Sequence, residues 1–201
     1  MIERSASRDA AIRAMLPVAA EQGWNWATLR AGLAAAGQEP DLAESHFPTG
    51  PTGAIAAWSD LADREMEAAA AAEDLAGRRV PARIRRVVEL RLAALAPHKP
   101  ALRRAMSRLA LPWHAGLALC LTARTADALW HAAGDRSADF SWYTRRASLG
   151  VIYAATLAYW LRDDDPGLAA AMAFLDRRLA DLGRLQRRKP ARRKAADQAA
   201  A

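Results

Sequence analysis

Apolar residues recur at intervals of three and four along most of the chain, and no run alternates with the period of two that a half-buried strand needs. The first run puts Ile12, Met15, Leu16 and Ala19 on one helical stripe. Ser7 or Asp9 stands where a cap is wanted, and Gly23 stands where the helix should stop. A short helix capped by Thr28 runs to Ala36 and ends at Gly37. Another, over about 41–46, ends at Phe47-Pro48. Longer helices are predicted over 53–75, 81–95, 101–109, 113–133, 140–162 and 168–185. Pro97, Pro100, Pro112, Gly134 and the turn Asp163-Asp164-Asp165-Pro166-Gly167 separate the later ones. The pattern predicts an all-α protein with a three-helix helix-turn-helix unit over 1–50, an antiparallel helical bundle over 51–185 and a tail over 186–201.

Composition agrees with helix, because alanine and leucine dominate while valine and isoleucine are sparse. No stretch of about 20 uncharged apolar residues could span a bilayer. The first residues lack the apolar core of a signal peptide, so a reducing cytoplasm is the expected compartment. The single cysteine, Cys120, lies in the apolar run 117–121 and reads as a small buried residue. The net charge of +7 is localised: Arg184, Arg187, Arg188, Lys189, Arg192, Arg193 and Lys194 supply it, leaving the rest formally neutral. Such a tail is expected to be disordered, and it can be drawn to an anionic membrane surface.

Catalytic chemistry is not legible. His98, His114 and His131 have no metal-ligand spacing, and the three aspartates at 163–165 belong to a turn. No strand precedes a glycine-rich phosphate loop, and no Ser-His-Asp arrangement is suggested. The expectation is a protein with no catalytic residues, no metal and no cofactor.

The stretch 20–30, with Gly23, Trp24, Thr28 and Leu29, continues through Ala36-Gly37 and His46-Phe47-Pro48 and resembles the TetR-family DNA-binding domain. The chemistry for DNA is missing. The recognition segment carries Glu39, Asp41 and Glu44, and no lysine or arginine lies between Arg30 and Arg64. Neutralising phosphates supplies most non-specific affinity, and an acidic helix repels the duplex. The unit is therefore expected to serve as scaffold, with Trp24, Trp26, Leu29, Leu33, Leu42 and Phe47 closing its core and His46 bonding at a helix end.

The run 127–147 is more specific. Trp130 precedes Ala133-Gly134-Asp135, and Asp139-Phe140-Ser141-Trp142-Tyr143-Thr144-Arg145-Arg146-Ala147 follows. With Tyr153, Thr156, Tyr159-Trp160, Asp163 and Phe174-Leu175-Asp176-Arg177-Arg178, it is similar to the lipid-binding accessory family of ubiquinone (coenzyme Q) biosynthesis, the ninth Coq protein family. Ser141 stands where that family usually has asparagine, and the tail is short and basic where mitochondrial members extend into an amphipathic helix. The resemblance implies a TetR-like fold, a homodimer, and an accessory that presents a quinone precursor to a di-iron hydroxylase without doing the chemistry. Leu117, Leu121, Trp130, Leu149, Tyr153 and Trp160 are the candidate wall for an isoprenoid quinone or another lipid. Asp139, Trp142, Tyr143, Arg145 and Arg146 are the candidate hydroxylase-binding surface, with Ser137 or Asp139 also available to cap the following helix. The alternative is a TetR-type transcriptional regulator with a lipid-like effector.

If the tail supplies peripheral contact with the inner membrane, truncation after Leu185 abolishes co-sedimentation with anionic vesicles and leaves neutral vesicles equally unbound. Undiminished sedimentation of the truncated chain would move the contact elsewhere.

Overall fold

The computed structural model describes residues 4–134, 141–163 and 167–188, with side chains from 146 onward in the second segment and up to 184 in the third. The expectations for Asp135, Ser137, Asp139 and the tail after Arg188 lie outside the described residues, as do those for the side chains of Trp142, Tyr143 and Arg145.

Among the described residues nine α-helices follow one another: α1 (Ala6–Gln22), α2 (Trp26–Ala35), α3 (Ala43–His46), α4 (Gly50–Ala71), α5 (Val80–Leu95), α6 (Lys99–Leu109), α7 (Ala115–Ala132), α8 (Ser141–Arg162) and α9 (Ala169–Arg188). Single 3-10 turns precede α3, α6 and α7, and among the described residues there is no strand. Two capping expectations are corrected. Ser5, not Ser7 or Asp9, accepts from the Arg8 N–H at the start of α1. Asn25, not Thr28, caps α2. The Thr28 hydroxyl instead donates backward to the Gly23 carbonyl at 2.6 Å. The fourth helix starts three residues earlier than predicted, because Gly50 adopts φ +65 against the Trp26 ring and Pro51 fits the first turn.

The N-terminal unit is held by close packing. A Cβ at Gly32 would sit 2.4 Å from the Met15 Cβ, so α1 and α2 cross at a distance that only glycine permits. Trp24, Leu29, Leu33 and Phe47 are buried as expected, whereas Leu42 is 47% exposed. Leu42 ends a 3-10 turn that begins at Pro40, and its side chain faces away from the core. The unit and the bundle share one core: Trp24 stacks on Trp58 of α4 at 5.4 Å, and its indole N–H donates to the Ala101 carbonyl of α6.

Helix α6 has a second duty. The C-terminal turn of α1 contains no basic residue, yet Arg104 donates to the Ala20 and Glu21 carbonyls at 2.8 and 2.7 Å. Arg103 and Lys99 of the same helix donate to the Leu161 and Asp163 carbonyls at the end of α8. A helix end leaves carbonyls unsatisfied and carries partial negative charge, so one basic helix closes two distant helix termini.

Helix α4 runs through the centre and packs on α1, α2, α5 and α7. Its Asp60 is buried and accepts from three guanidiniums: Arg4 ahead of α1, Arg64 one turn on, and Arg124 of α7. Arg64 also makes a two-pronged contact with Asp9 of α1. Burial alone would raise the Asp60 pKa, but the hydrogen bonds and charges of Arg4 and Arg64 outweigh it and hold the group below its ordinary value. A carboxylate depressed in this way stabilises the fold above its unfolded pKa, about 4, and loses that contribution as pH falls through the folded value.

Asp60→Asn is therefore expected to cost about 3 kcal/mol in urea unfolding at pH 7 and less at strongly acidic pH, as the wild-type carboxylate takes up its proton. An equal deficit at both pH values would mean that the charge on Asp60 is not what holds the three helices.

Candidate functional site

An inner cavity lies between α4, α5, α6, α7 and α8. Ile55, Trp58, Ala62, Leu95, Leu102, Met106, Leu109, Leu121 and Leu157 form its apolar walls, and Ala105, Ala118 and Ala154 leave the space. Its volume is about 100 Å³ and it is partly open to solvent. That is the scale of a cavity that takes up one benzene-sized ring, roughly 150 Å³, not a long isoprenoid chain.

One end of the cavity is polar. Arg91, Thr125 and Tyr153 line it together. Arg91 is 4% exposed; its Nε donates to the Tyr153 hydroxyl at 2.8 Å and its Nη2 to Thr125 Oγ1 at 3.3 Å. Thr125 in turn donates to Asp63 of α4 at 3.3 Å. Arg91 Nη1 lies 2.5 Å from Asp63 Oδ1 without hydrogen-bond alignment. Burial pushes the Asp63 pKa up, opposed by the Arg91 charge and the Thr125 hydrogen bond. Burial works against the charge on Arg91 as well, but Tyr153 and Asp63 more than restore it. The guanidinium is thus a fixed cation beside a carboxylate, and the cluster is close to neutral as a whole.

Two further apolar hollows flank α8. One, of about 370 Å³, lies between α5, α7, α8 and α9, and is lined by Ile84, Trp130, Leu149, Leu179 and Leu182. Trp130 is 7% exposed, and its indole N–H has no hydrogen-bond partner among the described residues. The other is a groove of about 620 Å³ along α7 and α8, where Leu119 and Val151 stand exposed beside Ala147, Gly150 and Ala154.

The six residues read as a single lipid wall are divided among these places. Leu121 and Tyr153 line the inner cavity, while Trp130 and Leu149 line the hollow between α5, α7, α8 and α9. Leu117 is half-buried against the core. Trp160 is fully buried, with the Lys99 ammonium 4.9 Å from its ring centre. Of the five residues read as a partner surface, only the Arg146 side chain is described. It is half-buried, and its Nε donates to Asp127, joining α8 to α7 at the rim of the groove. Cys120, expected to be buried, is exposed: it sits one position before Leu121 and points away from the cavity wall.

Sequence reasoning missed Asp63, Arg91 and Thr125. The signal was available in register. Ile84, Val87, Val88, Leu92 and Leu95 mark the buried stripe of α5, and Arg91 falls on that stripe. A charge at a core position needs a buried partner, and Asp63 on the buried face of α4 supplies it.

The surface offered by α3 is acidic. Glu39, Asp41 and Glu44 are exposed, and the one nearby base, Arg30, lies 3.9 Å from Glu44. Arg8 is used internally, with its guanidinium over the Phe47 ring and its Nη2 donating to the His46 carbonyl. His46 bonds at the helix end as expected, facing the Leu42 carbonyl through Nδ1 and the Ser7 hydroxyl through Nε2. Among the described residues, no helix is long and apolar enough to cross a membrane, and no group of three or more His, Cys, Asp or Glu could hold a metal ion.

Helix order and packing define an all-helical protein of the TetR type. The chain superposes on a TetR transcriptional regulator from Nitrosomonas europaea with a TM-score of 0.69 and 26% identity, covering 88% of this chain and 97% of that one. Residues 115–186 match the COQ9 family model. It is 42% identical over 98 residues to the rat ubiquinone biosynthesis protein COQ9, mitochondrial, covering 49% of this chain and 31% of the rat protein. The human protein of the same name is 41% identical over 98 residues, with the same coverage, and the Drosophila melanogaster one is 40% identical over 99 residues. The chain thus spans about a third of the length of the curated relatives it matches.

Proposed function

We propose that this protein is a non-catalytic accessory of ubiquinone biosynthesis, one that binds a quinone intermediate or a similar lipid and presents it to a di-iron hydroxylase. The observation that carries the reading is the mostly apolar, partly open cavity with one polar end, formed in part by α7 and α8 of the stretch that matches COQ9. Small ligands bind in concave, largely apolar sites with a few placed polar groups, and this cavity has that form. The groups around it are a paired arginine, a threonine and a phenol, which can hold an oxygen atom. Asp139, Trp142, Tyr143, Arg145 and Arg146 are proposed as the docking surface for the hydroxylase, and the working unit as a homodimer.

The regulator reading draws on the solved TetR relative. The exposed acids around α3 oppose it, because a duplex would meet Glu39, Asp41 and Glu44 before any free base.

Mass spectrometry of lipids extracted from the purified protein should reveal a bound isoprenoid quinone or other lipid in near-stoichiometric amount. A protein that stays lipid-free after incubation with quinone analogues would overturn the binding role. In pull-downs, Trp142→Ala and Tyr143→Ala should each remove the hydroxylase while helical content is unchanged. Normal capture by both variants would discard the docking surface.

A further inference from the structure

We infer that the end of the bundle where α5 begins and α9 ends is a docking face for an anionic phospholipid bilayer. Val80 and Pro81 enter the interface, Arg78, Arg79 and Arg83 meet the lipid phosphates, and the hollow between α5, α7, α8 and α9 opens onto the leaflet. The face belongs to the folded body, and it does not depend on the quinone reading.

Residues 76–82 lead into α5, and every one of them is exposed. A Cβ on Gly77 would meet no atom within 4 Å, so this tip stands in open space. Val80, the first residue of α5, is 46% exposed and is followed by Pro81. Five arginines fall within residues 78–86. Two are spent: Arg85 pairs with Asp176 and Glu89, and Arg86 with Glu73 and Glu89. Arg78, Arg79 and Arg83 have no carboxylate in ion-pair contact among the described residues. Arg83 instead donates to the Arg78 and Ala76 carbonyls at 2.7 Å each and reaches the Ala133 carbonyl at 3.5 Å. Neutral carbonyls leave its charge uncompensated, and the same bonds fix the tip to the end of α7. The adjacent acids are engaged: Asp74 accepts from the Ala76 N–H, and Glu73 is held by Arg86.

Two features name the occupant. The hollow of about 370 Å³ reaches the surface at this tip, because Val80, Pro81 and Arg83 line it together with Leu179, Leu182 and Gly183 of α9. An apolar opening beside unpaired bases matches a bilayer, where phosphates lie directly above hydrocarbon. A nucleic acid would offer phosphates but nothing for Val80 or the hollow. The second feature is the tail. Helix α9 ends at Arg188, so the basic run that starts at Arg184 leaves the fold at the end where Leu182 and Gly183 meet Val80. A solvated tail attracts without fixing an orientation, and a tip with three bases and one exposed valine is a weak anchor. Stable attachment to a membrane takes two such signals. Acting together, they set this end of the bundle on the leaflet with the mouth of the hollow against lipid. The apolar groove along α7 and α8 lacks that charge, since Arg146 at its rim is paired with Asp127.

The test uses the whole chain and vesicles of phosphatidylcholine with or without about 30% phosphatidylglycerol. Arg78→Gln combined with Arg79→Gln should weaken binding to the anionic vesicles about thirtyfold, roughly fivefold for each base, with helical content unchanged. Orientation is read by a polarity-sensitive fluorophore on Val80→Cys or on Trp113→Cys, each made with Cys120→Ser because Cys120 is exposed. Trp113 is 73% exposed and precedes α7, at the opposite end of that helix from Ala133. The label at position 80 should shift to the blue on anionic vesicles and stay unshifted on neutral ones, and the label at position 113 should shift on neither. Vesicle binding without a shift at position 80 would mean that the tail binds alone, and would overturn the inference. An equal shift at both positions would overturn it as well, because no fixed face would then meet the lipid. So would unchanged binding by the double arginine variant, or double-stranded RNA held more tightly than the anionic vesicles. Each of these failures leaves the quinone reading standing, since that rests on the inner cavity and is tested by lipid extraction.

Discussion

Two carboxylates on one buried helix face govern this molecule. Asp60 and Asp63 lie less than one turn apart on α4, and neither could be buried as an anion without a cation brought to it. Asp60 draws Arg4, Arg64 and Arg124, and Asp63 draws Arg91. Satisfying the two groups fixes the positions of α1, α5 and α7 around α4. Hydrophobic burial supplies most of the driving force but is non-directional, whereas guanidinium–carboxylate contacts specify register. The polar end of the cavity follows from this requirement, because Arg91, placed in the core to meet Asp63, presents its remaining donors to Thr125 and Tyr153.

The same economy explains the N-terminal unit. Its helices keep the spacing of a DNA-binding domain, but Arg8 is turned inward and Arg30 faces an acid. Arg8 closes α3, Asp9 is tied to Arg64, and Arg30 faces Glu44. Trp24 stacks on Trp58 and bonds to Ala101, so the unit acts as one wall of the bundle.

Helix α8 links the two halves of the proposed function. Leu149, Tyr153 and Trp160 lie on its buried stripe, while Ala147, Gly150, Val151 and Ala154 line an outer groove. A helix that is apolar on two faces serves an interior and an exterior at once. Occupancy of the cavity and of the outer surface can be coupled through this single rigid element, with Arg146 and Asp127 holding it to α7.

The sequence alone determined the helical class, the order of the elements and most of the core, because helical periodicity and glycine or proline stops are local properties. Ile12, Met15, Leu16 and Ala19 were identifiable as interior from spacing alone. The resemblance in 127–147 was legible for the same reason, since it is a contiguous run. Tertiary structure decided what depends on residues far apart in the chain. Arg91 and Asp63 are 28 positions apart and Arg91 and Tyr153 are 62 apart, so no local pattern pairs them. Helical spacing places a residue on a face of its own helix but does not say which cavity that face meets, which is why Trp130 and Leu149 parted from Leu121 and Tyr153. Nor does an apolar run fix burial at each position, as the exposure of Cys120 beside Leu121 shows. Where a polar group finds its partner is a property of helix packing, and packing is settled only when all the helices are in place.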